Sequence, residues 1–259
     1  MTTKQIFLLG LILLSQASQA ADNSIFIDQA GDNATITMLQ DGASNRVRAV
    51  QGVGTGNTTP SRLRGDGLLL SIQQIGSGNI LNMGVDTTTA NGSNATNVFY
   101  KVQGNNAIAT ININGDGLGL AASQTLSIDQ DGNDSLATIN MLGTNNSLTA
   151  IQAGGANNSL SADINASDVI ATINQTGGGA NATILNMTGD KGQVDIVTVG
   201  ASNSTTITQS GGSTLGHYAK VDIAGSSNTT VINQSGTVDS TINLKSVGNG
   251  NVTTLTSRN

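Results

Sequence analysis

Residues 25–42 read IFIDQAGDNATITMLQDG, and one pattern occurs twice in them: alternating apolar residues, a Gln, one further residue, then a Gly. Gln29 and Gln40 stand eleven residues apart, and the same setting recurs at Gln51, Gln74, Gln130, Gln152, Gln175, Gln209 and Gln234. Two residues ahead of each lies an apolar residue (Ile27, Met38, Ala49, Ile72, Ile128, Ala150, Ile173, Ile207, Ile232), and in all but the Gln51 case a Gly follows two residues later. The intervals are 11, 11, 23, 56, 22, 23, 34 and 25, close to multiples of 11 to 12. Met141, Met187 and Thr198 fall where the missing units would place a Gln.

Inside each unit apolar and polar residues alternate, the period-2 signature of a strand with one buried face. Asn and Gly cluster between units ("AGDNA", "DGASN", "IGSGN", "TGGGAN"), supplying residues that tolerate left-handed backbone in tight turns. Strand, turn, strand, turn closes a circuit of about 22 residues, which cannot bury its apolar face alone. Stacking the circuits ~4.8 Å apart gives two facing parallel sheets over a thin continuous core. The expected fold is therefore all-β, a β-solenoid with Ile27, Ile72, Ile128, Ile173, Ile207 and Ile232 inward. The repeated Gln is expected to pass an amide hydrogen bond from each rung to the next, Gln29 and Gln40 being two such rungs. Asp28 and Asp129, one residue before their glutamines, are expected to point outward, where like charges along a stack repel.

Three segments depart from the rhythm. Residues 52–67 hold the only proline and predict a bulging corner loop. Residues 85–125 contain strand-like runs, but Lys101 stands where an apolar residue should precede Gln103, so their register stays open. "GGSTLGHYAK" at 211–220 lengthens one turn and makes His217 an expected solvated loop residue.

Composition fits a turn-dominated chain: 33 Gly, one Pro, no Cys, no Trp, and all sixteen acids are Asp, whose short side chain can bond its own backbone. The N-terminus, with Lys4, the apolar run Ile6 to Leu14 and small residues to Ala20, reads as a secretory signal peptide over 1–20. The apolar run is too short to span a bilayer. The domain plan is thus a signal peptide, then one repeat domain over 21–259, exported, without a transmembrane segment and stabilised without disulfides. A net charge of −6 offers no basic footprint for nucleic acid.

The repeats resemble those of curlins, the subunits of bacterial curli amyloid fibres. Gln29, Gly31, Asn33 and Gln40, then Gln40, Asn45 and Gln51, match the family's strand and turn positions, and "IDQAGDN", "GASNRVRAVQ" and "ATINQTG" look like curlin units. The resemblance implies a cross-β subunit exported through a dedicated outer-membrane pore of a Gram-negative cell with accessory chaperones. Such a subunit assembles with itself or other curlins on a nucleator into surface fibres that mediate adhesion and biofilm cohesion. The family's major subunit carries a Gly/Asn-rich targeting tail, whereas only "ADNS" separates Ala20 from Ile25 here, so the roles of major subunit, nucleator and accessory subunit all stay open.

Other function classes find less in the sequence. With His217 as the only histidine and no Cys or Glu, a triad or zinc site would rest on one residue, and no enzyme, cofactor or metal is expected. The Asp–Gly turns at 65–67, 115–117 and 129–134 lack the nine-residue spacing of calcium-binding repeats. The alternative to a fibre is a monomeric adhesin or an ice- or surface-binding solenoid, to which Thr205, Thr206, Thr208, Thr229 and Thr230 contribute candidates.

Overall fold

The computed structural model describes residues 23–25, 27–30, 35–48, 61–64, 69–86, 97–114, 125–142, 146–164, 168–188, 191–211 and 216–258, of which 27–30, 61–64, 84–86, 112–114 and 140–142 are described by backbone alone. The signal segment 1–20, Gln51, Gly31, Asn33 and the Asp–Gly turns at 65–67 and 115–117 lie outside these residues.

Every regular element among them is a strand: β1 (Ser24–Ile25), β2 (Ile27–Ala30), β3 (Met38–Asp41), β4 (Arg46–Arg48), β5 (Ser61–Arg64), β6 (Ile72–Ile75), β7 (Ile80–Asp86), β8 (Val102–Gln103), β9 (Ile108–Asn114), β10 (Ile128–Asp131), β11 (Leu136–Leu142), β12 (Ser147–Ala153), β13 (Ser159–Ile164), β14 (Ile170–Thr176), β15 (Ala182–Thr188), β16 (Gln193–Val199), β17 (Ser204–Gly211), β18 (Tyr218–Ala224), β19 (Thr229–Gly236), β20 (Thr241–Val247) and β21 (Val252–Arg258). They form two parallel sheets. A nine-strand sheet runs β3, β6, β8, β10, β12, β14, β16, β18, β20, and a twelve-strand sheet runs β1, β4, β7, β9 and on through the odd strands to β21, with β5 joining β2 to β7. The chain alternates between the sheets, so each circuit adds one strand to each: the predicted β-solenoid. No helix among the described residues is long and apolar enough to cross a membrane.

The circuit is not uniform. Partner residues are 22 to 25 apart from Ile128 onward, as in Ile128, Ala150, Ile173, Ile196, Val221 and Leu244. They are 28 apart from Ile80 through Ile108 to Leu136, and 34 apart from Met38 to Ile72. The interval of 56 between Gln74 and Gln130 is therefore two 28-residue circuits, with Val102 paired to both glutamines. This gives the register of the described residues 97–114: Val102 is buried, while Lys101 and Gln103 face outward, one residue out of phase with the Gln pattern.

Residues 61–64 correct the expected corner loop. They form β5, and β4 and β5 together lie along β7, Arg46 to Arg48 on its first half and Arg62 to Arg64 on its second. The proline-bearing insertion thus interrupts a strand rather than a corner, and the partner strand holds the two pieces in line.

Inward positions of both sheets fill the core. Ile72, Ile128, Ile173, Ile207 and Ile232 are buried as expected, each contributing roughly 1.5–3 kcal/mol. Ile27, described by backbone alone, pairs with Ser61. Small residues such as Ala109, Ala137 and Ala171 alternate with the larger ones and keep the sheets close. Tyr100 is the exception in size: fully buried between Ile72 and Ile128, its hydroxyl finds no partner. Burial holds its phenol protonated far above the usual range. An unpaired buried hydroxyl is destabilising, so Tyr100→Phe is expected to raise the unfolding free energy by about 1 kcal/mol. A lowered urea midpoint would show instead that the hydroxyl is satisfied in solution.

Candidate assembly site: amide ladders and open strand edges

The two corners of each circuit differ. From the nine-strand to the twelve-strand sheet the chain turns tightly through a short Gly-led motif, as in "GASN" (42–45 and 200–203), "GSGN" (76–79), "GSSN" (225–228) and "GNGN" (248–251). The opening Gly has positive φ (Gly200 +124°, Gly225 +128°), and a residue two positions on takes the left-handed conformation (Ser202 57°, Ser227 59°). The opposite corner varies in length and absorbs nearly all the irregularity of the circuit.

The tight corner turns its Asn inward, and these asparagines form a column: Asn23, Asn45, Asn79, then Ala107 and Ser135, then Asn158, Asn181, Asn203, Asn228 and Asn251. Each Asn Oδ1 accepts the backbone N–H of the next member: Asn45 N–H to Asn23 at 2.8 Å, Asn79 to Asn45 at 3.0 Å, Asn203 to Asn181 at 3.1 Å, Asn228 to Asn203 at 3.0 Å, Asn251 to Asn228 at 2.9 Å. Most Nδ2 groups reach the carbonyl of the next corner's Gly, as Asn181 to Gly200, Asn203 to Gly225 and Asn228 to Gly248, all at 2.8 Å, whereas Asn158 turns back to Gly154 of its own corner at 2.9 Å. The side chain thus satisfies backbone groups that the turn leaves without strand partners. The sequence reading gave these residues turn chemistry and missed the ladder. Its signal was there, an Asn three residues after a corner Gly.

The glutamines occupy two columns, one per sheet, because eleven residues is half a circuit. Gln40, Gln74, Gln130, Gln152 and Gln175 lie in the nine-strand sheet, where Val102 and Thr198 stand in register with them. Gln29, Gln209 and Gln234 lie in the twelve-strand sheet, where Met141 and Met187 share the column. Gln29 and Gln40 are therefore not successive rungs of one ladder, which corrects that expectation. Nor is a rung-to-rung amide bond the general rule. It is well formed between Gln209 Nε2 and Gln234 Oε1 at 2.9 Å, and only marginal between Gln130 and Gln152 at 3.5 Å. More often the amide crosses the thin core to the carbonyl sixteen residues earlier, where the facing strand begins: Gln175 to Ser159 at 3.0 Å, Gln234 to Tyr218 at 3.1 Å. The glutamines tie sheet to sheet as much as rung to rung. Where the column is broken, acceptors are stranded: Gln74 Oε1 and Gln130 Oε1, on either side of Val102, have no partner.

His217 is buried, not solvated. Its ring Nδ1 lies 2.9 Å from Ser240 Oγ and its Nε2 3.2 Å from the Ser210 carbonyl, so the tautomer that donates from Nε2 accepts the Ser240 hydroxyl at Nδ1. Gln234 Nε2 also donates to Ser240 Oγ at 3.1 Å. His217, Ser210, Ser240 and Gln234 thus join in a polar network at this corner. Asp129 does face outward, but Lys101 pairs with it at 3.4 Å, so on this strand an attractive contact replaces the expected like-charge repulsion. Asp28 is described by backbone alone. Asp134, of the 129–134 Asp–Gly turn, accepts from Asn106 Nδ2 at 3.2 Å, as an ordinary turn residue does. Thr205 and Thr230 point into the core, whereas Thr206, Thr208 and Thr229 face outward, so the threonine runs split between faces.

Both sheets stop on open strands. Among the described residues β20 pairs only with β18, and β21 only with β19. Their core-facing Ile242, Leu244 and Leu255 are only partly buried, and no further Asn stands on Asn251. No protein-family model, curated protein or solved structure matches this chain.

Proposed function

We propose that the chain is an exported, curlin-like structural protein: a subunit or nucleator of extracellular amyloid fibres that contributes to surface adhesion and biofilm matrix. The observation that carries this reading is the open end of the solenoid, where β20 and β21 expose unpaired backbone groups beside half-covered apolar residues. A second copy offers a matching edge. Its segment 24–30 has the seven-residue length of β21, and Ser24 heads the column that ends at Val252. Asn23 of that copy would continue the asparagine column beyond Asn251. The partners are then further copies or other curlin subunits, delivered by curli-type outer-membrane secretion and nucleation machinery. No cofactor, nucleic acid or catalysis belongs to this reading.

The test is growth from purified protein, alone and with curlin seeds. Fibres that bind amyloid dyes and diffract at ~4.8 Å and ~10 Å are expected. A chain that stays monomeric and dye-silent for days in both conditions overturns the proposal and favours the monomeric adhesin or ice- and surface-binding reading.

A further inference from the structure

Charge is distributed unequally between the two outer faces. The nine-strand sheet displays both signs, in the pairs Lys101–Asp129, Lys220–Asp195 and Lys245–Asp222, together with Asp41 and Asp131. Arg46 and Arg48 face outward on β4 near one end of the twelve-strand sheet, but across the stretch from β7 to β21 the described outward side chains are Ser, Thr, Asn, Ala, Ile, Leu and Val, with Asp163 as the single charge inside the face and Arg258 at its rim. Ile108, Leu136 and Ile184 stand exposed on it at 38, 42 and 44%. A surface this poor in charge is unusual for an acidic chain, whose solubility rests on its charged residues.

We infer that this face of the twelve-strand sheet is a self-association surface, covered by the same face of a second copy. Three arguments select that occupant. First, a two-fold interface sets each surface patch against its own copy, so it tolerates few charges, and only this face meets that condition. Second, eight strands at ~4.8 Å and seven residues at ~3.3 Å give roughly 900 Å² per partner, close to the standard size of a specific interface. Third, short outward side chains in regular columns let two sheets approach to ~10 Å and interdigitate. An antiparallel arrangement lays β13 of one rod on β15 of the other, so Asp163 meets the uncharged residues of β15 and not a second Asp163. This pairing is lateral and independent of growth at the solenoid ends.

Sedimentation of freshly purified protein tests it. The wild type is expected at twice the chain mass, dissociating on dilution. Thr206→Lys with Thr208→Lys on β17 is expected to weaken the dimer at least tenfold while leaving the circular dichroism unchanged, and Ser204→Lys, at a more exposed position, replaces that variant should it fail to fold. Val197→Lys with Val199→Lys, facing outward on β16 of the other sheet, is expected to leave the dimer intact. A wild type that sediments as a monomer at ~100 µM overturns the inference, as does a dimer split by the β16 changes and not by those on β17. A monomer that adsorbs to ice or an insoluble polysaccharide through β17 overturns it in favour of surface binding.

Discussion

Asn203→Leu is expected to lower stability by about 2–5 kcal/mol. Asn203 Oδ1 accepts the Asn228 N–H at 3.0 Å, and its Nδ2 donates to the Gly225 carbonyl at 2.8 Å and to Asn181 Oδ1 at 3.1 Å. Leucine keeps the volume and removes these bonds together with the one that Asn228 Nδ2 donates to Asn203 Oδ1 at 3.1 Å. The Asn228 N–H and the Gly225 carbonyl are left buried at ~1–3 kcal/mol each, less the gain from the added apolar surface, while Asn181 Oδ1 keeps the Asn203 backbone N–H at 3.1 Å. Repeat proteins open between neighbours, so the loss should be local. Hydrogen exchange is expected to show the amides of β17, β19 and β21 losing protection before those of β11 and β13. Unchanged protection in β17 and β19 would mean that the asparagine column is turn decoration and carries little of the stability. The natural gaps at Ala107 and Ser135 argue that one missing Asn is tolerated when the position is small: Ala107 N–H still donates to Asn79 Oδ1 at 2.9 Å.

Gly200→Ala is expected to cost 3 kcal/mol or more, through the backbone. Gly200 has φ +124°, a conformation that side-chain-bearing residues rarely adopt, and an added Cβ would be driven into the carbonyl oxygen of Gly225 in the next circuit. Relief requires the two corners to separate, which breaks Gly225 N–H to Val199 O at 3.0 Å and Asn203 Nδ2 to Gly225 O at 2.8 Å. Gly250 supplies the internal control. Its φ is +69°, but nothing lies within 4 Å of the added Cβ, so Gly250→Ala should cost only the ~1 kcal/mol of left-handed backbone. Urea midpoints of the two variants separate steric from conformational loss. Equal midpoints would show that the corners are not stacked as tightly as the glycine column implies.

Gly200 and its counterpart Gly248 also show where the sequence stops being sufficient. Both open a GASN- or GNGN-type corner, both have φ above +120°, and in the sequence they look alike. Only stacking distinguishes them: an added Cβ at Gly200 meets the Gly225 carbonyl of the next circuit, whereas at Gly248 it meets only the Asn251 side chain of its own corner.

By itself the sequence determined the strand faces and the parallel two-sheet solenoid. Alternation is a local property: residues i and i+2 share a face of any strand, so Ile128, Ile173, Ile207 and Ile232 declare themselves inward without reference to the rest of the chain. A Gln recurring at a fixed place before a Gly further declares that the strands repeat. Tertiary structure alone decided who stands on whom. Column neighbours depend on the residues spent between strands, and the variable corner can spend any number without disturbing the register of the strands it joins. Hence a 56-residue interval concealed two circuits, Gln29 and Gln40 went to opposite sheets, and Val102 in place of Gln103 entered the glutamine column. The burial of His217, the asparagine ladder and the low charge of the face from β7 to β21 follow from the same cause. Each is a relation between residues at least a circuit apart or on opposite sheets, which stacking creates and local pattern does not encode.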